Sequence, residues 1–172
     1  REKGFSAPEI PHFDLEKGLI LIEHLGAEGI LKPARQPIEK RYLASVEMLA
    51  ALHQHVFASQ VEIMPGRNYT IPPYDKQAML IETELLLDWY APTHSEKDIS
   101  QEDRSAFLEI WQDVADRVSR QEQSLVLRDF HSPNILWLEE REDTNRIGVI
   151  DFQDALTGPA SYDVASLAQD AR

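Results

Sequence analysis

Two carboxylates and one amide stand where apolar runs break off. In LVLRDFHSPNILWL (125–138), Asp129 and Asn134 lie in one polar segment between two short apolar runs. In GVIDFQDALTGP (148–159), a third apolar run stops on Asp151. Runs of this length read as buried strands, and a turn between them needs some polar residues but not this set. Asp151 offers carboxylate oxygens and Asn134 an amide oxygen. Both are hard ligands suited to Mg²⁺, which keeps waters and substrate phosphates in its other positions. Asp129 is then left to accept a proton from an attacking hydroxyl. A base, two metal ligands and a nucleotide form the phosphoryl-transfer template. Asp and Asn also suit ordinary turns, but the spacing and the apolar flanks favour a site.

Strands must deliver these side chains. Residues 125–127, 135–138 and 148–150 read as three short strands, with EEREDTNR (139–146) as a solvated turn. A meander of the three would bring Asp129, Asn134 and Asp151 to one edge. Gly158-Pro159 reads as a turn, and a final helix starts near Ser161. Upstream, EIPHFD (9–14), LEKG and LILIEHL (19–25) read as a hairpin. Its second strand is apolar on both faces and is expected to be buried. GAEGILKPARQP (26–37) is a break and a candidate boundary. Helical spacing follows over 38–57, with Tyr42, Val46, Leu49, Val56 and Phe57 on the core stripe. MPGRNYTIPPYD (64–75) reads as an extended loop. Asp75 caps a largely buried helix over 76–90. Ser100 and Asp103 form a capping-box-like start for another helix, with Phe107, Trp111, Val114 and Val118 on one face. No internal repeat or low-complexity tract is present.

Composition narrows the class. The chain has 172 residues, 42% hydrophobic and 27% charged, which fits a globular protein with a sizeable core. A net charge of −13 disfavours nucleic acid and anionic membrane surfaces as partners. The chain has no cysteine, hence no disulfide or thiolate chemistry. No run reaches transmembrane length and no signal-peptide pattern opens the sequence, so the cytoplasm is the expected location. Arg1 begins in mid-element and YDVASLAQDAR carries no stop signal, so a fragment of a longer chain is expected.

The segments RDFHSPNILW and VIDFQDALTGP resemble the catalytic-loop and metal-loop motifs of the aminoglycoside phosphotransferase and choline kinase-like families, which share the protein-kinase fold. Through ELLLDWY (84–90), LRDFHSPNILWL and the segment from Ile150 to Arg172, the chain is most similar to bacterial kinases of cell-wall amino sugars. The resemblance implies an α+β, protein-kinase-like fold: a mostly helical large lobe over 31–172 and a remnant of the β small lobe, with the hinge, over 1–30. It implies ATP and Mg²⁺ as cofactors and a small-molecule hydroxyl as acceptor. Asp129 is similar to the catalytic base, and Asn134 and Asp151 to the Mg²⁺ ligands. Asp163 is similar to an aspartate that braces the catalytic loop. The run LILIEHLG is similar to the last small-lobe strand and hinge, where the backbone from Glu23 to Leu25 would hold adenine.

Departures matter as well. Leu127-Arg128 stands where the family often has His-Gly, and Gln153 where protein kinases have glycine. No glycine-rich phosphate loop precedes the hinge; that part would lie before Arg1. Arg128 is a candidate for steadying phosphate charge or a substrate acid group, and equally for pairing with a carboxylate. Asp88 and Asp154 are further substrate candidates. His131 reads as an anchor of the loop, since the base role is filled. His53 and His55 are spaced for different helix faces and do not read as a metal pair. The acceptor is expected to be an amino sugar. An aminoglycoside, choline or homoserine is the alternative, as is a nucleotide-binding protein without turnover. The oligomeric state is not readable.

Overall fold

A computed structural model describes residues 1–94 and 98–170. In chain order its elements are β1 (His12–Asp14), β2 (Leu19–Leu21), α1 (Glu39–His53), β3 (Gln60–Met64), β4 (Arg67–Thr70), α2 (Lys76–Leu85), a π-helical turn (Leu86–Tyr90), α3 (Ala91–His94), α4 (Gln101–Val118), β5 (Gln123–Val126), a 3-10 turn (Ser132–Asn134), β6 (Ile135–Trp137), a second 3-10 turn (Asp143–Arg146), β7 (Ile147–Val149), β8 (Leu156–Pro159) and α5 (Ser161–Ala168). They form two units: Arg1–Phe57 with Leu127–Ala155 and Ser161–Arg172, and Ala58–Val126 with Leu156–Ala160. The candidate boundary at 26–37 lies inside the first unit.

In the first unit, β1 and β2 pair antiparallel, with Phe13 opposite Ile20. Asp14 closes their turn by accepting from the backbone N–H of Glu16 and Lys17. Gly18 follows at φ +64°, a region glycine enters without a Cβ clash. The expectation of a buried second strand is corrected: Leu19, Ile20 and Leu21 are 60–63% exposed. Two strands bury one another's backbone but cover neither face.

α1 forms where helical spacing predicts it, but of the expected stripe only Leu49 is fully buried. Ser45, Met48, Leu49 and Leu52 face the core. Val46 is 49% exposed, and the helix ends at His53, before Val56 and Phe57. Ser45 can sit inside because its hydroxyl donates to Arg41 O at 2.8 Å. The centre of this unit is Phe130, Ile30, Met48, Leu49, Ile135 and Ile147, all essentially without solvent exposure. β6 and β7 pair antiparallel through Ile135–Val149, Leu136–Gly148 and Trp137–Ile147. Isolated bridges from Ser6 to Gly148 and from Gly29 to Leu136 extend this ribbon on both sides. Arg41, Lys40 and Arg146 lie 5.2–5.6 Å from the Trp137 ring centre, and the indole N–H donates to Glu139.

The second unit corrects two expectations. Residues 64–75 are not all loop: β3 and β4 pair around Pro65-Gly66, with Gly66 at φ +75°. Gly158-Pro159 is not a turn but the end of β8, which pairs antiparallel with β5. The expected three-stranded meander is therefore two separate ribbons, β5–β8 and β6–β7. A Cβ at Gly158 would stand 2.7 Å from the Tyr74 Cβ, so only glycine admits that approach. Both helix starts follow the sequence. Asp75 accepts from Ala78 N–H at 2.9 Å. Ser100 Oγ accepts from Asp103 N–H at 3.0 Å and donates to its carboxylate at 2.6 Å. The helix over 76–90 is less buried than expected. Only Met79 and Leu87 are enclosed, Trp89 is 73% exposed, and the α-helical pattern gives way to a π turn at Leu86. Lys76 ties α2 to α4 through Asp116 at 2.8 Å.

Candidate functional site

The loop from Leu127 to Asn134 joins the first unit's buried apolar ribbon to polar chemistry. Phe130, fully enclosed, anchors its middle, while Asp129 beside it is exposed. Backbone bonds wind the loop tightly: Asp129 N–H to Leu127 O at 2.9 Å, His131 N–H to Asp129 O at 3.0 Å, and Asn134 N–H to His131 O at 2.9 Å. Two non-glycine residues here are left-handed, Arg128 at φ +68° and Asp151 at φ +60°. Such conformations cost on the order of 1 kcal/mol each and cluster at functional sites.

Asn134 is the point where the two segments meet. Its Nδ2 lies 3.0 Å from Asp129 O, 3.1 Å from His131 Nε2 and 3.4 Å from Asp151 Oδ2. The register explains this: Ile150 N–H donates to Asn134 O at 3.1 Å, so the end of β7 places Asp151 beside the start of β6. Asp151 Oδ1 also accepts from Gln153 Nε2 at 2.7 Å. Asn134 and Asp151 are hard oxygen ligands side by side, and Mg²⁺ is commonly held by one or two carboxylates plus substrate phosphates. The donor set therefore fits that ion. Nδ2 faces the protein acceptors, so Oδ1 is the atom a hard cation would take. Among the described residues no group of three or more His, Cys, Asp or Glu is arranged around a common metal position.

Asp163, fully buried at the start of α5, accepts from Leu127 N–H at 2.7 Å and from Arg128 N–H at 3.0 Å. Burial pushes its carboxyl up to about 6, opposed by these two backbone donors and assisted by the charge of Asp129. The bond to Arg128 N–H also steadies that residue's left-handed backbone.

The remaining sequence candidates fall elsewhere. Glu23 pairs with Arg1 at 2.8 Å and Arg141 at 3.2 Å, its N–H donates to Glu9 O at 2.7 Å, and Leu25 is buried. The bond from Glu9 N–H, with Arg1, lowers the Glu23 carboxyl from its ordinary value. Asp154 is exposed in the segment after Asp151. Asp88 lies in the second unit and pairs with Arg104 at 2.5 Å. Sequence reading missed Asp170. Its carboxylate accepts from Ser132 N–H at 2.5 Å, Ser132 Oγ at 3.0 Å and Tyr42 OH at 3.0 Å. It lies two residues past the end of α5, and its partners Ser132 and Tyr42 are far from it in sequence, so no local signal marked it.

Two cavities border the loop. One, about 310 Å³, is lined by His131, Tyr162, Gln169 and Asp170 among others. The other, about 300 Å³, is lined by Gly29, Ile30, Leu31, Arg35, Ser132 and Pro133. A larger one, about 600 Å³, lies around Trp137, Lys40 and Arg146 and is lined by none of Asp129, Asn134 or Asp151.

Comparison with known proteins bears on family and fold. Residues 2–172 match the family described as "Phosphotransferase enzyme family". The chain is 28% identical over 175 residues to an N-acetylmuramate/N-acetylglucosamine kinase of Caulobacter vibrioides, covering 99% of this chain and 47% of that protein. It is 29% identical over 171 residues to one of Neisseria meningitidis, covering 96% and 47%. The chain thus spans about half the length of these relatives. Its fold is similar to that of ADP-bound aminoglycoside phosphotransferase APH(2'')-Ib. The TM-score is 0.57 at 18% identity, over 93% of this chain and 52% of that one.

Proposed function

This chain belongs to the phosphotransferase enzyme family, and on that footing we propose that it carries the catalytic loop of an ATP-dependent small-molecule kinase acting on an amino-sugar hydroxyl. The observation that supports the reading is that one amide, Asn134 Nδ2, lies 3.0 Å from the backbone carbonyl of Asp129 and 3.4 Å from the Asp151 carboxylate, so the two segments that carry the candidate residues meet at Asn134. Amino sugars are favoured as acceptors because the relatives named above are N-acetylmuramate/N-acetylglucosamine kinases, matched along nearly the whole of this chain.

In this reading Asp129 orients the acceptor hydroxyl and takes its proton as the oxygen attacks the γ-phosphorus. The bond between that phosphorus and the β,γ-bridging oxygen breaks, and ADP leaves. Asn134 and Asp151 hold Mg²⁺, which when bound neutralises phosphate charge. Asp163 and His131 fix the loop, and the catalytic advantage comes from positioning and charge neutralisation. We place the end of a small lobe and the hinge in 1–30, with backbone near Glu23 and Leu25 toward adenine, and the catalytic lobe in 31–172. Arg128, Asp88 and Asp154 are proposed substrate contacts. No described helix is long and apolar enough to cross a membrane, and a cytoplasmic location is proposed.

The experiment is transfer of labelled γ-phosphate from ATP by the intact gene product, with N-acetylmuramate, N-acetylglucosamine, an aminoglycoside, choline and homoserine as acceptors. Labelled amino-sugar phosphate is expected. Preference for another acceptor replaces the substrate assignment. Nucleotide binding without transfer to any acceptor removes the enzyme reading.

A further inference from the structure

Asp170 sits in an unfavourable place for a carboxylate. It stands two residues past the end of α5, with its N–H donating to Leu167 O at 3.3 Å, near the helix end where carbonyl groups concentrate negative charge. Three donors offset this: the N–H of Ser132 at 2.5 Å, the hydroxyl of Ser132 at 3.0 Å and the phenol of Tyr42 at 3.0 Å. Ser132 is 5% exposed, so the loss of its partner would leave a backbone donor and a hydroxyl buried without acceptors. Burial together with Asp170 pushes the Tyr42 phenol up to about 12.

Ser132 lies in the loop between Asp129 and Asn134. Asp163 grips the other end of the same loop at the N–H groups of Leu127 and Arg128. Asp163 lies in the first turn of α5, and Asp170 stands two residues past its last residue, Ala168. The start of α5 and the segment just past its end thus hold the loop at two points, one on either side of Asp129.

We propose that Asp170, supported by Tyr42 of α1, is a positioning residue that fixes the C-terminal half of the catalytic loop and so sets Asn134 relative to Asp129. The proposal rests on the phosphotransferase reading above. It assigns Asp170 no contact with substrate or nucleotide. Its effect runs through Ser132 alone, and it falls on turnover rather than on binding.

The test compares Asp170→Asn, Asp170→Ala and Tyr42→Phe with the unmodified protein. Amino-sugar phosphorylation and amide hydrogen exchange over residues 130–134 are both read. Asp170→Ala is expected to lower kcat about tenfold or more, with KM for ATP changed by less than about twofold. Exchange at Ser132 speeds up by a similar factor. Asp170→Asn, which keeps one acceptor, recovers part of both effects. Tyr42→Phe gives a smaller loss of the same kind and remains informative if the Asp170 variants fail to fold. A kcat within twofold of the unmodified protein in every folded variant overturns the proposal, as does a loss seen wholly in KM. If the unmodified protein shows no turnover, the functional reading has failed instead. Exchange then decides the clamp: faster exchange at Ser132 in the variants supports it, and unchanged exchange overturns it.

Discussion

The first unit contains two antiparallel ribbons of equal length and opposite fate. β1–β2 and β6–β7 each pair three residues with three. In β2 every residue is at least 60% exposed, whereas in β7 every residue is buried. Both strands are apolar, so apolarity did not decide their burial. The difference is cover. β7 is flanked by Ser6 on one side and paired with β6 on the other, and α1 packs near it. The buried ribbon also places the candidate polar residues, since Asn134 immediately precedes β6 and Asp151 comes two residues after β7. A rigid, covered ribbon can hold side chains to the tolerance that phosphoryl transfer needs, and an exposed two-stranded one cannot.

The comparison breaks most sharply at Asp129. Asp129→Ala is expected to lower kcat by a factor on the order of 10³ while leaving most ATP affinity, read by steady-state transfer and nucleotide titration. Normal turnover would remove the base assignment. Asp151→Ala should abolish the Mg²⁺ dependence of nucleotide binding, and an unchanged Mg²⁺ titration would separate the buried ribbon from the metal role.

A smaller effect concerns the buried carboxyl beneath the loop. Asp163 titrates near 6 in the folded chain against an ordinary value of 3.8. Between these values the folded state binds more protons than the unfolded one. The stability Asp163 contributes is therefore full below about pH 4 and is lost as pH rises through about 6. The advantage of the unmodified protein over Asp163→Asn should shrink by on the order of 2 kcal/mol from pH 4 to pH 7. Denaturant unfolding at both pH values measures it, and a difference that grows with pH contradicts the assignment.

Packing separates the ribbons directly. A Cβ at Gly148 would meet Leu25 Cδ1 at 3.1 Å and Leu138 Cδ1 at 3.2 Å. Gly148→Val in β7 should cost about 2 kcal/mol of unfolding free energy. Ile20→Thr in β2 should stay within about 0.5 kcal/mol. Equal costs in a denaturation series would mean that β1–β2 is covered in solution.

The sequence made the chemistry more legible than the packing. Asp75 and the Ser100–Asp103 pair were readable because a cap is a local event decided within four residues. The meeting of the Asn134 and Asp151 segments was readable because side-chain type and spacing survive in one dimension. β8 was not, because its partner β5 lies about 30 residues upstream and Gly158-Pro159 looks locally like a turn. The β3–β4 hairpin was hidden by Pro65-Gly66, which signals a loop with or without strands on either side. Asp170 escaped because its value depends on Ser132 and Tyr42, far away in sequence. The exposure of Trp89 and of β2 was illegible for the same reason: burial depends on a partner surface that no single segment encodes.

The most direct measurement is the dependence of γ-phosphate transfer to N-acetylglucosamine on Mg²⁺, made on the unmodified protein and on Asp129→Ala side by side. Transfer that rises with Mg²⁺ in the first and vanishes in the second, at comparable ATP affinity, is the predicted result. Transfer that persists in Asp129→Ala, or that ignores Mg²⁺, contradicts the account.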